Sequence, residues 1–239
     1  MNELELFDFK DEYIYRFVPI NRFSLDSIYS SGLYFGAPDS QNDPLDSYFH
    51  TNFSVGTDVL IPLNLELDKK LEEHKKEIRK TYGICSFSRI HSHILLWSHY
   101  ADGAKGICLV FNRKELIKSL NDLNNKEFKI EEVRYNGLPT ISLNQNNVRD
   151  FDLEKPLYHK MNEWEYEKEI RIFTKVIDEH RFFNFSPNCL VAIILGNRFE
   201  RGINSRLICS IIQKHKYYSH LTVAKIFSPR GKYASIMTC

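Results

Sequence analysis

Apolar and polar positions along the chain follow two periods, and the switches between them mark out the elements. Tyr13-Ile14-Tyr15-Arg16-Phe17-Val18 is β-branched and aromatic and stops at Pro19, which predicts a strand. Ser24 is placed to cap a short helix, Leu25 to Ser30, ending at Gly32. Leu33-Tyr34-Phe35 predicts a second strand before the turn-rich run 37–44. A polar loop then leads to a Lys- and Glu-rich helix, roughly Leu65 to Tyr82. Gly83 to Ser88 and Gly106 to Phe111 predict strands on either side of a helix-like Ile94 to Ala101, which Asp102-Gly103 closes. Lys114 to Leu123 reads as helix, Ile130 to Tyr135 as extended chain, and Asn144 to Tyr158 as helix or loop. The last third reads strand (Leu190 to Leu195), helix (Arg201 to Lys214), strand (Leu221 to Phe227). No repeat or low-complexity linker interrupts the pattern. The prediction is one α+β domain over residues 1–239, with mixed or antiparallel sheets and flanking helices.

One stretch breaks the routine. In Asn162-Glu163-Trp164-Glu165-Tyr166-Glu167-Lys168-Glu169-Ile170-Arg171-Ile172-Phe173, four glutamates alternate. On a strand all four carboxylates and Arg171 would share one face, with Trp164, Tyr166, Ile170 and Ile172 on the other. Like charges at every second position need water, cations or a ligand. On a helix, Glu165 and Glu169 would again be neighbours. Interest narrows to Glu167 and Glu169, where the polar run meets the apolar strand, while Glu163 and Glu165 resemble ordinary surface charges.

Composition adds bounds. The 239 residues carry 32 basic and 31 acidic side chains, so no net charge draws the chain to nucleic acid, although a local basic patch stays open. A 43% hydrophobic share with 17 Phe and 13 Tyr predicts an aromatic-rich interior. The five cysteines, Cys85, Cys108, Cys189, Cys209 and Cys239, are scattered, and none has zinc-ligand spacing. Four lie in apolar strand-like runs, where free Cys acts as a small hydrophobe. With no signal pattern and no membrane-length apolar run, the expectation is a protein of the reducing cytoplasm, away from the membrane.

Several constellations bear polar chemistry. Asn42-Asp43-Pro44 followed by Asp46 reads first as a self-bonded Asx turn and second as a ligand-contacting loop. Leu96 to Gly103 gathers Trp97, Ser98, His99 and Tyr100; such aromatics are commonly core anchors, yet Trp97 and Tyr100 also offer stacking surfaces. Cys85 would need a base such as His91, His93 or His99 to act as a nucleophile, and a buried apolar role suits it better. Ser86 and Ser88 share a strand face and could position a sugar or amide. Arg16, inside an aromatic strand, needs a phosphate or carboxylate partner, and an ion pair with the glutamate strand competes with ligand binding. No phosphate loop, GxSxG, HExxH or dinucleotide fingerprint is present, and no metal site is expected.

Taken in order, YRF, SGLYFGAPDSQNDPLDSYF, GICSFS, LLWSHYADGAKGICLVF, VRYNG and KMNEWEYEKEIRIF resemble bacterial domain-of-unknown-function family 2971 over about residues 13–175, leaving a C-terminal strand-helix-strand at 188–230. The order of Arg16, Ser86 with Ser88, then Glu167 with Glu169 also resembles the Arg–Ser–Glu pattern of ADP-ribosyltransferases. That resemblance implies an ADP-ribosyltransferase-like fold with NAD as substrate. Glu169 would be the catalytic carboxylate, holding the ribose hydroxyl and the developing positive charge. Glu167 would orient or activate the acceptor, a protein or nucleic acid. Arg16 would pair with a phosphate and Ser86, beside Ser88, with the ribose or Glu169, while Trp97 or Tyr100, in the same cluster as His99, would stack on nicotinamide. The implied role is an NAD-consuming bacterial toxin or phage-defence effector. Two rivals stand beside it: a non-enzymatic binding or regulatory module, and a nuclease holding Mg²⁺ on Asp43, Asp46 and the glutamates.

Overall fold

A computed structural model describes residues 12–53, 65–143, 154–177, 179–200, 202–226 and 233–236. In chain order these form β1 (Tyr13–Val18), α1 (Arg22–Ser30), β2 (Gly32–Tyr34), β3 (His50–Phe53), α2 (Leu65–Thr81), β4 (Tyr82–Ser88), α3 (Ile94–Tyr100) and β5 (Ile107–Asn112). There follow α4 (Arg113–Asn124), β6 (Lys129–Glu132), β7 (Thr140–Leu143), β8 (Glu169–Lys175), β9 (Phe182–Asn184), β10 (Leu190–Leu195), α5 (Ile203–Lys214), β11 (Thr222–Ile226) and β12 (Tyr233–Ile236). Eight strands make one mixed sheet in the order β12-β11-β10-β5-β1-β4-β8-β6, parallel between β10 and β11 and antiparallel elsewhere. The fold is α+β, as the pattern predicted. Most of the stretch Asn144 to Tyr158 lies outside the described residues.

Local chemistry sets the boundaries. Helix α1 begins earlier than expected because Asn21, not Ser24, caps it: Ser24 N–H donates to Asn21 Oδ1 and Asn21 N–H to Ser24 Oγ, each at 3.0 Å. Ser31, in the left-handed region at φ 49°, closes the helix, and Gly32 already opens β2. The glutamate run is the larger correction. Asn162–Glu167 is a 3₁₀ helix, Lys168 turns the chain at φ 45°, and only Glu169 onward is strand. Glu163 and Glu165 are therefore exposed on a turn rather than lined up along a sheet face.

Alternation along β1, β4 and β8 divides the sheet faces. Ile14, Cys85, Phe87, Ile170 and Ile172 enter the main core, shared with α1, α4, α5 and the antiparallel β2–β9 pair. The opposite face carries two smaller apolar clusters. One, around Tyr15, Trp97, Cys108 and Val110, seats α3; the other, around Ile78, Ile84, Leu157 and Phe173, seats α2. Between them the face is polar, and there the site lies.

The turn joining α3 to β5 accounts for much of the ADGAKG motif. Asp102, Gly103 and Ala104 are all left-handed, and the chain then passes so close to its neighbours that a Cβ on Gly106 would stand 2.3 Å from the Val18 carbonyl. Gly106→Ala should cost about 1–3 kcal/mol, since the obstacle is backbone. A chemical-denaturation midpoint equal to that of the wild type would show that the turn yields.

Candidate functional site

Five buried ionisable side chains from four segments meet on the polar strip. Strand β8 supplies Glu169 and Arg171, which lie opposite Ser88 and Ser86 of β4. Glu167 arrives from the 3₁₀ turn, and Asp46 from the turn that follows Pro44. Lys160 comes from an extended segment fixed by Lys160 N–H to the Arg134 carbonyl, 3.0 Å, beside an Arg134–His159 bridge. None of these side chains is more than 5% exposed.

Arg171 uses its whole fork. Nε and Nη2 donate to Glu169 at 2.8 and 3.2 Å, Nη1 and Nη2 to Asp46 at 2.7 and 2.5 Å, and Nη1 to the Leu157 carbonyl at 2.6 Å. Lys160 Nζ lies 2.6 Å from Glu167, 2.9 Å from Glu169 and 3.8 Å from Asp46, under the Trp164 ring at 5.1 Å. Tyr100 O–H donates to the other Glu167 oxygen, and Tyr135 O–H accepts the Glu169 backbone N–H at 2.7 Å. The left-handed turn at Lys168 is what lets Glu167 and Glu169, leaving different elements, share one ammonium.

The two glutamates differ electrically. Burial opposes ionisation of Glu169, but Arg171 and Lys160 outweigh it and hold the carboxyl down to about 2. Burial pushes Glu167 up, aided by the Glu169 charge and only partly offset by Lys160 and Tyr100. Burial and the Glu167 carboxylate push the Tyr100 phenol up as well, so it stays a proton donor. Burial works against protonated Lys160, yet the surrounding carboxylates raise its pKa. Three carboxylates face two cations, leaving one negative charge in excess when all are ionised.

Acid sensitivity follows from the sign of each shift. Glu169 titrates near 4.5 when ordinary and about 2 here, so its contribution is complete above the ordinary value and is lost as pH falls from there toward 2. Glu167, shifted upward, weighs against folding when ionised and ceases to do so on protonation. Melting temperature should therefore drop steeply below about pH 4.5 in the wild type. It should drop less steeply in Glu169→Gln; parallel acid limbs would contradict the assignment.

A cleft of about 330 Å³ opens beside this cluster. Its origin is a split in the sheet. Strands β1 and β4 pair at a single position, Tyr15 with Ser88, and further along β4 turns to Gly36, which accepts the Ile84 N–H at 2.8 Å. Arg16 reaches over the gap: Nη1 donates to the Ser86 carbonyl at 3.0 Å and to Cys85 Sγ at 2.9 Å. Among the described residues Arg16 has no carboxylate partner, so the glutamate ion pair expected as its competing role is not formed.

Of the residues singled out by sequence, the structure brings Arg16, Ser86, Ser88, Tyr100, Glu167 and Glu169 to this one cleft. Ser88 is partly engaged, donating to the Glu167 carbonyl at 2.6 Å and accepting from Ile90 N–H at 3.1 Å. Trp97 and His99 do not line the cleft. Trp97 is buried against Phe17 with its indole N–H on the His91 carbonyl at 2.8 Å, while His99 is exposed. Cys85 is buried and its thiol pushed up to about 11, as suits a small hydrophobe. Asp43 Oδ1 accepts the Leu45 N–H at 2.9 Å, the Asx-turn reading. Among the described residues no group of three His, Cys, Asp or Glu could hold a metal ion, since lysine and arginine already take the carboxylates. Sequence reasoning missed Lys160, Tyr135 and Gln41, which had only their place inside the family-like strings to mark them.

Comparison with known proteins bears on these same strings. Residues 96–172 match the family described as protein of unknown function (DUF2971). No curated protein and no solved structure matches the chain. The DUF2971 segment is the later part of the stretch whose motifs resembled that family, and it contains Tyr100, Tyr135, Lys160, Glu167, Glu169 and Arg171. Arg16, Asp46, Ser86 and Ser88 lie before it. The matched segment thus supplies Glu167, Glu169, Arg171, Lys160 and Tyr100, and the opposite wall of the cluster lies outside it. Among the described residues no helix is long and apolar enough to cross a membrane.

Proposed function

We propose that the cleft takes NAD as a substrate and breaks its nicotinamide–ribose bond, passing ADP-ribose to water or to an acceptor. One observation carries this reading: Arg16, Ser86 and the Glu167–Glu169 pair, distant in sequence, line the same split between β1 and β4. As the C–N bond breaks, its electron pair leaves with nicotinamide and positive charge develops on the ribose. The excess negative charge of the cluster favours that change. The attacking O–H gives its proton to Glu167, whose raised pKa suits it to act as base.

The roles differ from those implied by resemblance. Both carboxylates have both oxygens engaged. Glu169 meets two cations that hold its carboxyl low, which suits a fixed anion, whereas Glu167 meets one cation and a phenol and its carboxyl is pushed up. Tyr34 and Tyr100, both in the cleft wall, are better placed than Trp97 for a flat ring. The saturation of Glu169 also favours a second reading, a non-enzymatic module that binds its ligand without consuming it. Purified protein incubated with NAD separates the two. Nicotinamide release is expected; NAD binding without release supports the module, and neither binding nor release overturns both.

A further inference from the structure

A second cavity, about 850 Å³, adjoins the cleft on the α1 side of the sheet. The two cavities share two wall residues, Arg16 and Tyr34. Its own walls carry the exposed aromatic rings of Phe23 and Tyr29, interleaved with Ser27 and Ser30 of α1. Exposed rings gathered along a groove are one mark of a ligand-binding surface. The first cleft, by contrast, stands at the lower end of the roughly 300–1,000 Å³ that ligand pockets span. It suits one nucleotide rather than two.

We infer that the groove along α1 holds the adenosine half of a dinucleotide, whose diphosphate would lie at the junction beside Arg16, the residue for which the resemblance already implies a phosphate partner. Three observations meet in this assignment. Arg16 is a cation with no carboxylate partner among the described residues, and it stands where the cavities join. A guanidinium binds phosphate oxygens in pairs. On one side of it lies a polar cleft with an excess of negative charge, suited to the cationic pyridinium end. On the other lie aromatic faces and small hydroxyls, together with Asp26 paired to Arg22, a wall suited to a neutral purine and its ribose. The ligand class is thus an oxidised dinucleotide gripped along its whole length. The assignment rests on NAD as the occupant of the cleft, and it adds that a mononucleotide is a poor substitute.

Calorimetric titration with NAD, nicotinamide mononucleotide and ADP-ribose tests it on wild-type protein, Tyr29→Ala and Ser30→Trp. Both substitutions lie at exposed positions of α1, so folding should survive, and thermal melts check this. NAD should bind wild type at least tenfold more tightly than the mononucleotide. Both variants should weaken NAD and ADP-ribose about tenfold and narrow the gap to the mononucleotide. If NAD and the mononucleotide bind alike and neither variant alters NAD, the groove assignment falls while the cleft reading stands. If ADP-ribose binds and the variants weaken it, yet NAD is never cleaved, the groove stands and the NAD-consuming reading falls. Binding of none of the three overturns both.

Discussion

Glu167→Gln should lower nicotinamide release from NAD by roughly 10²- to 10⁴-fold, the range in which a positioned general base contributes, while leaving the fold intact or slightly firmer. The two halves of this expectation have separate causes. The amide keeps the size of the side chain and can still meet Tyr100 and Lys160, but it cannot take a proton from an attacking hydroxyl. It also removes the surplus negative charge from a buried cluster of three carboxylates and two cations. Steady-state rates and thermal melts on the same preparation check both. Loss of activity with a large fall in melting temperature would mean that Glu167 is a structural anchor and not a base. Unchanged activity would remove it from the chemistry.

Arg171→Met should be the most damaging single change to stability, at about 3–5 kcal/mol, because it leaves two buried carboxylates without their main counter-charge. That is a large part of the total stability of roughly 5–15 kcal/mol that domains possess. A chain of this size would lose about 10 °C or more in melting temperature. The cost arises from what remains behind, so removing the orphaned charge should return part of it. Arg171→Met combined with Asp46→Asn should be more stable than Arg171→Met alone, a non-additivity that a double-mutant cycle reads directly. Additive effects would show that Asp46 and Arg171 do not depend on each other.

Most strands of the large sheet were legible because each is apolar on at least one face, whereas β3, β7, β9 and β12 were not read. β1, β4, β5, β8, β10 and β11 all fall within two residues of the expected runs where those were read as strands, with β8 as the exception at its start. Glu163 to Glu167 carries the alternation of a strand but forms a 3₁₀ turn. Period alone cannot register that Lys168 adopts a left-handed conformation and that Glu167 is drawn to Lys160 and Tyr100. The site was half legible for a related reason. Arg16, Ser86 and Glu169 announce themselves as polar groups within apolar runs. Asp46 was marked only as part of a polar turn or a metal-binding rival, and Lys160 was not singled out; both join the glutamate cluster only when folding removes their water. Trp97 is the converse, a residue with chemical promise that packing assigns to the core.

The single Tyr15–Ser88 pairing has a mechanical consequence. Backbone hydrogen bonding knits β12 through β1 into one slab and β4, β8 and β6 into another, and the seam between the slabs is nearly bare. Arg16 and Tyr15 travel with the first slab, Ser86, Glu169 and Arg171 with the second. A molecule that touches Arg16 and the glutamates together supplies the cross-tie the backbone omits, so occupancy should register as slower amide hydrogen exchange along the seam.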